Sequence, residues 1–332
     1  MRVLLTGGTG FIGSHTAVEM AQNGHDIVIL DNYSNSDEEV LDRLEKIIGK
    51  PVVFEEGDIR DYNRLYDVLQ KHNIDAVVHF AGLKAVGESC AMPIEYFDNN
   101  VAGTVTLLRA MKALNIKKLI FSSSATVYGV PQYLPLDENH PLSSTNPYGR
   151  TKLHIEEILR DVAASDPEWS IVCLRYFNPI GAHASGLIGE NPRGIPNNLL
   201  PYVARVANGQ LKAVQVFGSD YDTPDGTGVR DYIHVVDLAY GHVCAANYSA
   251  ENHGWIAINL GTGIGYSVLD IIHAYEKACG KPIAYQLVDR RPGDVAANWA
   301  DPKLAKELLG WEAKLSLQDM CESSWKFQQS CH

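Results

Sequence analysis

Three residue types at particular spacings could carry chemistry in this 332-residue sequence. Tyr148 and Lys152, in the run YGRTK, are four positions apart and share one face of a helix. Ser122, Ser123 and Ser124 end a short apolar run that reads as a strand. A free tyrosine, with a pKa of about 10, is ionised only about one part in a thousand at pH 7 and is a poor base. A lysine ammonium one turn away and a positively charged nicotinamide would both favour the phenolate. Lowering the pKa by about 3 units takes roughly 4 kcal/mol of preferential phenolate stabilisation. Ser124 can donate to or accept from the same substrate oxygen and hold it in line with the phenol. Beside a dinucleotide, the three residues predict an alcohol-oxidising site.

The dinucleotide has its own signature. Gly7-Gly8-Thr9-Gly10-Phe11-Ile12-Gly13 follows the first strand directly and opens the first helix. Glycines there permit a tight turn and close approach of backbone N–H groups to a pyrophosphate, which also feels the positive end of the helix dipole. The second strand ends in Asp31, 18 residues beyond Gly13, where a carboxylate can accept both ribose hydroxyls of an adenosine. A 2′-phosphate would meet that negative charge, and Asn32 adds no compensating cation, so the expected cofactor is NAD rather than NADP. Asp58-Ile59 and Phe80-Ala81-Gly82 follow the third and fourth strands at the carboxyl edge, where open α/β sheets bind ligands.

Positioning these groups requires parallel strands joined by helices. Strands are expected at Val3 to Thr6, Ile27 to Leu30, Val52 to Phe54, Ala76 to Phe80, Leu119 to Ser122 and Ile171 to Leu174. Helices are expected at Ile12 to Gln22, Leu41 to Ile48, Leu65 to Lys71, Glu95 to Leu114 and Tyr148 to Ala164, with Gly24 and Gly49 as C-terminal stops. That alternation predicts an α/β, Rossmann-like, doubly wound parallel sheet. After about residue 178 the rhythm breaks into NPIGAHASGLIGENPRGIPNN, a long irregular segment of the kind that usually has a function. Residues 1–177 are expected to form the NAD-binding domain carrying the Ser/Tyr/Lys site. Residues 178–332 are expected to form mainly a smaller substrate-binding α/β lobe, with an interleaved boundary.

Composition narrows the partners. With 45% hydrophobic and 20% charged residues the chain is globular, and 40 acids against 28 bases give a net charge of −12, unsuited to a phosphate backbone. No nucleic-acid partner is expected. The six cysteines, at 90, 173, 244, 279, 321 and 331, show no CxxC spacing, and the 12 histidines form no HExxH or Cys/His cluster. Free thiols and no metal site are expected, with His79 a packed strand-end residue rather than a base. MRVLLTGG enters the first strand directly, and no apolar run reaches about 18 residues. A soluble, cytoplasmic protein with no membrane partner is expected.

The later motifs are more specific than the glycines. GGTGFIGS, HFAGLKAVGES, DNNVAGT, FSSSATVYG, NPYGRTK, RYFNPIGAH, GIPNNLLPY, DGTGVRDYIHV and RRPGD resemble the UDP-glucose 4-epimerases of the extended short-chain dehydrogenase/reductase superfamily, from residue 1 to about residue 327. The resemblance implies that NAD stays bound while Tyr148 takes the sugar 4-hydroxyl proton and C4 gives up a hydride. The 4-keto sugar then turns about its bond to the diphosphate and is reduced on its other face. By the same resemblance Asn35, Ser36, Lys84, Asn99, Ser122 and Phe177 join the glycine-loop residues around the cofactor. Lys84, Asn178, Asn198, Leu199, Gln215 and Phe217 line the UDP-sugar. Arg230, Tyr232, Arg291, Asp294 and Asn298 complete that set. Arg230 and Arg291 offer planar forks suited to diphosphate oxygens. Asp294 can accept a ribose hydroxyl, and Asn178 and Asn198 can donate without adding charge. Asn298, just before Trp299, borders the pocket for the sugar 2-substituent, where a residue smaller than tyrosine admits an acetamido group. Family members pair as homodimers through the helices near 95 to 114 and 148 to 164.

Two other readings stay open at this point. Nucleotide-sugar 4,6-dehydratases and uronate-processing enzymes begin with the same oxidation. Dehydratases, however, carry an Asp-Glu pair directly after the residue matching Ser124, where Ala125-Thr126 stand here. A non-catalytic NAD-binding sensor would keep the glycines yet has no use for Ser124, Tyr148 and Lys152 together.

Overall fold

The structure, a computed structural model, describes residues 1–291 and 293–330. Pro292 of RRPGD and Cys331 lie outside the described residues. Seven parallel strands form the central sheet: β1 (Arg2–Thr6), β2 (Asp26–Asp31), β3 (Val53–Glu56), β4 (Ala76–His79), β5 (Lys118–Ser124), β6 (Ser170–Tyr176) and a later strand, Gly254–Leu260. They run in the order 3-2-1-4-5-6 with the later strand outermost, beside β6. This is the doubly wound order in which ligands bind at the carboxyl edge.

The alternation of side chains explains why both faces are covered. Val3, Leu5, Ile120, Val172 and Leu174 point into one core. There they meet α1 (Phe11–Gln22) and α2 (Glu39–Ile48). Leu4, Leu119, Phe121, Ile171 and Cys173 point into the other, against α3 (Tyr62–Lys71) and two long helices further along the chain. A strand buried on both faces reads as an unbroken apolar run, as in β4 and β6. Gly49 closes α2 in the left-handed region at φ 78°, as its position predicted, and Gly24 at φ 81° lies just beyond α1.

The helix expected from Glu95 to Leu114 is not continuous. α4 (Val86–Ala91) and α5 (Pro93–Tyr96) precede a wider π-turned stretch, Phe97–Ala102, before α6 (Gly103–Ala113) resumes. Asn100 explains the widening: it is buried, and its amide bonds both the N–H and the C=O of Leu83 (2.8 and 3.0 Å) and Thr151 Oγ1 (3.1 Å). Such turns recur at functional sites. α7 (Pro147–Ser165) follows β5, capped by the Asn146 side chain.

Beyond β6 the chain builds a second layer and then returns. β7 (Asn178–Ile180) is a short strand inside the segment expected to be irregular. Next come α8 (Leu199–Ala207), β8 (Val214–Phe217) and β9 (Val229–His234). α9 (Val235–Glu251) packs on α1, and β10 (Gly254–Leu260) is the outermost strand of the first sheet. The remainder is β11 (Gly265–Ser267), α10 (Val268–Cys279), β12 (Tyr285–Val288), β13 (Ala297–Asn298), α11 (Lys303–Leu309) and α12 (Leu317–Ser330). β7, β11 and β13 all pair with β9, while β8 and β12 form a separate pair. No helix among the described residues is long and apolar enough to cross a membrane. Cys90, Cys173, Cys244, Cys279 and Cys321 are free thiols.

Candidate active site

The candidate site lies at the carboxyl edge of the first sheet and begins at the glycine turn after β1. Gly7 has φ +70°, and a Cβ there would lie 2.8 Å from the Ala81 backbone nitrogen. A Cβ on Gly13 would lie 2.4 Å from the Gly7 carbonyl oxygen, and one on Gly10 3.2 Å from the same atom. Backbone fills this cradle so closely that only glycine fits at Gly7 and Gly13. Gly10 caps α1 without any side-chain hydrogen bond, so the first N–H groups of Phe11 and Ile12 remain for an anion. Asp31, at the end of β2, is buried; it accepts from the N–H groups of Thr9 (3.1 Å) and Tyr33 (3.0 Å) and lies 3.5 Å from Ser36 Oγ. Asn32 donates to Asp58 at 3.2 Å, and Arg60 holds the Asp58 carboxyl below its ordinary range. Ile59 is buried against Gly103, Asn35 is exposed on the loop after β2, and Phe80, Ala81 and Gly82 continue the rim beyond β4. This cradle fits a dinucleotide, with the carboxylate where an adenosine ribose would lie.

Ser124 is the last residue of β5, and Tyr148 and Lys152 occupy the first two turns of α7. The Ser124 side chain lies beside the Tyr148 phenol. Thr126 donates to Ser124 Oγ from its N–H (3.2 Å) and its hydroxyl (3.0 Å). Burial pushes Tyr148 up to about 12, and the neighbouring Ser124 side chain opposes that rise. Lys152 is buried and pushed down to about 8 by desolvation, with Glu156 and Cys173 acting the other way. Its ammonium donates to the Ser122 carbonyl at 2.6 Å and lies 4.8 Å from the Phe121 ring and 5.9 Å from the Tyr148 ring centre. Lys152 is thus anchored on β5, with the Tyr148 ring beside its ammonium. His79 is held between Thr6 (2.7 Å) and Thr104 (2.9 Å), and burial drives it down to about 3, so it stays a neutral packing residue.

The residues expected to hold the sugar nucleotide come from several segments. Asn178 donates to the Asp231 carbonyl at 3.1 Å, and Phe177 is buried beside Val127 and Ala300. Arg230 and Tyr232 alternate on β9; Tyr232 is raised to about 12 by burial and feels Arg230, Arg291 and Asp294. Arg291 pairs with Asp294 at 3.1 Å and lies 4.6 Å from the Phe217 ring. Gln215 is exposed on β8, while Leu199 opens α8 against the lobe core. Asn298 pairs with Arg230 across β13 and β9, and its side-chain oxygen is buried without a partner. Asn99 donates to Asn100 at 3.0 Å.

Three residues escaped the sequence reading. Glu190 accepts from both Asn198 (2.6 Å) and Lys84 (3.3 Å), linking the two halves of the cleft, and its other oxygen is buried and unpartnered. Asp231 accepts from the N–H groups of Thr262, Gly263 and Ala300, which anchors β9 under Arg230 and Tyr232. Asn100 ties the rim of the cleft to α7. Their partners are far away in sequence; only the burial of acids and amides in polar motifs could have hinted at them.

A family model described as GDP-mannose 4,6 dehydratase matches residues 4–324. The UDP-glucose 4-epimerase of Bacillus subtilis strain 168 is 57% identical over 330 residues, covering 99% of this chain and 97% of its own. The chain belongs to the UDP-glucose 4-epimerase family. The human UDP-glucose 4-epimerase is 56% identical over 335 residues, at 99% and 96% coverage. The crystal structure of the Bifidobacterium longum epimerase, in complex with NAD+ and UDP, superposes with a TM-score of 0.97 at 58% identity, covering 100% of this chain and 99% of that one. Membership of the epimerase family fits the doubly wound sheet and the near full-length run of motifs.

Proposed function

We propose that this protein interconverts UDP-galactose and UDP-glucose at C4 of the sugar, with NAD retained throughout. The observation that carries the reading is the convergence of Ser124 at the end of β5 with Tyr148 and Lys152 at the start of α7, Lys152 bonded to the Ser122 carbonyl, beside a glycine cradle shaped for a dinucleotide. Gly7, Gly10, Phe11, Ile12 and Gly13 would hold the pyrophosphate, and Asp31, Asn32, Asn35 and Ser36 the adenosine side. Asp58, Ile59, Phe80, Ala81, Gly82, Lys84, Asn99, Ser122 and Phe177 would surround the rest. Bound NAD supplies the hydride acceptor for C4 and afterwards the hydride donor. As the phenolate, which the Lys152 ammonium and the positive charge of bound NAD would favour, Tyr148 receives the 4-hydroxyl proton, and Ser124 holds the same oxygen in line. Arg230 and Arg291 grip the diphosphate with Asn178 and Asn198, while the 4-keto sugar turns about its bond to that diphosphate. Tyr148 then returns the proton to the C4 oxygen of the reduced product. Residues 1–177 carry the cofactor and the reacting trio, and residues 178–332 mainly the UDP-sugar.

The same reading puts the enzyme in galactose metabolism, in the cytoplasm, as a homodimer. It extends to UDP-GalNAc and UDP-GlcNAc through Asn298. Dehydration is not favoured: Ala125 has no acid or base to offer, and the Thr126 hydroxyl is already engaged with Ser124. Incubating the purified protein with UDP-galactose and no added cofactor should yield UDP-glucose, and acid release should recover equimolar NAD. Bound NAD with UDP-galactose unchanged would instead mark a non-catalytic dinucleotide sensor.

A further inference from the structure

Beneath the reacting trio lies a buried charged group that the mechanism above does not use. Glu156 and Arg175 are each 1% exposed. Glu156 stands one turn beyond Lys152 on α7, so the two share a helix face. Arg175, on β6, grips its carboxylate with two donors, Nε at 3.0 Å and Nη2 at 2.7 Å. The carboxylate also accepts from the Ser123 hydroxyl, and Ser123 is the register partner of Arg175 across β5 and β6. Arg175 continues to the Tyr128 hydroxyl at 3.1 Å, which donates to Asn259 at 2.6 Å.

Ser123 is flanked by the two residues of β5 that face the reaction. The carbonyl of Ser122 accepts from Lys152, and Ser124 is the side chain that opposes the rise in the Tyr148 phenol. An ion pair this deep costs desolvation that its own attraction often fails to offset, so its stability value alone does not explain it. We propose that Glu156 is a positioning residue for the reaction, tying the end of β5 to α7 through Ser123 and supplying the counter-charge to the Lys152 ammonium. It touches neither substrate nor cofactor.

The surroundings of Lys152 leave Glu156 as its close anion. From α7 it faces Tyr148 and Glu156; from β4, His79, which is neutral; from β5, the Phe121 ring and the Ser122 carbonyl. From β6 comes Cys173, whose thiol burial keeps protonated, while the Arg175 guanidinium is bound to Glu156. Tyr176, also on β6, is held protonated by burial. Desolvation lowers Lys152 and Glu156 opposes it. Removing the carboxylate therefore leaves the desolvated Lys152 without its opposing anion, and the ammonium is lost at lower pH.

The inference rests on the epimerase reading, and one assay separates the two. Holoenzyme converting UDP-galactose is followed from pH 6 to 10, with bound NAD and UDP affinity measured on the same samples. If the parent itself has no turnover, the functional reading fails. With an active parent, Glu156→Gln should lower kcat about tenfold above pH 8 and move the alkaline limb down by about one unit, with KM nearly unchanged. Glu156→Asp should restore part of the limb. Ser123→Ala should lower kcat and leave the limb where it is. Should Glu156→Gln fold poorly, Glu156→Met/Arg175→Met removes both charges at similar volume and should show the same downward limb. A parental limb in whichever variant retains NAD overturns the proposal. So does loss of NAD from both variants, because the pair would then be holding the fold rather than the site.

Discussion

Asn298 shows what one side chain can decide. It lies in a strand only two residues long, beside Arg230, with its amide oxygen buried and unpartnered. A buried acceptor without a donor costs about 1–3 kcal/mol, and the N–H of an acetamido group on sugar C2 is a donor of the right kind. Tyrosine at this position would fill the space and remove that acceptor. The protein is expected to turn over UDP-GalNAc as well as UDP-galactose. Asn298→Tyr should suppress the N-acetylated reaction by about tenfold or more and leave UDP-galactose turnover within about twofold, because added bulk acts by clash and leaves the C4 chemistry alone. Parallel kcat/KM measurements on both substrates check this; equal loss of both activities would remove Asn298 from the pocket.

At the scale of the element, the glycine turn and the start of α7 illustrate two kinds of constraint. The turn is sterically closed: a Cβ on Gly13 would meet the Gly7 carbonyl oxygen at 2.4 Å, a contact made by backbone that has little room to shift. Gly13→Ala should therefore open the cradle, lowering stability by about 1–3 kcal/mol. It should also strip NAD during purification, seen as a lower melting temperature and a lost dinucleotide absorbance. Gly24→Ala is the control, because its Cβ would meet nothing within 4 Å and only the strain at φ +81° remains. The start of α7 is constrained differently, by bonds from other elements. Ser89 accepts from the Tyr148 N–H at 3.2 Å and Asn100 donates to Thr151 at 3.1 Å, so α4 and the π-turned stretch hold the helix that carries Tyr148.

Over the whole molecule, those elements also leave apolar surface uncovered. Ile94 is 79% exposed, and Met92, Val86 and Val105 are exposed with it, all on the α4–α6 side of the first sheet. Exposed apolar side chains on helices are a poor surface for water and a good one for a second copy of the same helices. Sedimentation at micromolar concentration should find twice the 36.5 kDa of one chain. Ile94→Asp should shift the particle toward one chain without loss of bound NAD. A parent that sediments as a single chain would count against the pairing. A net charge of −12 makes two copies repel one another overall, which apolar burial in a pair would have to outweigh.

Local rules were enough to read the glycine turn, Asp31 at a strand end, the four-residue spacing of Tyr148 and Lys152, and the alternation that makes a doubly wound sheet. Each depends on residues within about one turn or one strand of each other, where sterics and periodicity act directly. Tertiary structure decided the rest. The break of the helix before Gly103 depends on Asn100 reaching Leu83 and Thr151, and the return of Gly254–Leu260 to the first sheet depends on β6 having an open edge. The elevated Tyr148 and lowered Lys152 follow from burial, which no spacing reports. Glu190, Asp231 and Glu156 have partners up to 106 residues away, so their roles exist only once the chain has closed on itself. A buried carboxylate must find donors wherever the fold brings them, and that search is settled by packing rather than by sequence order.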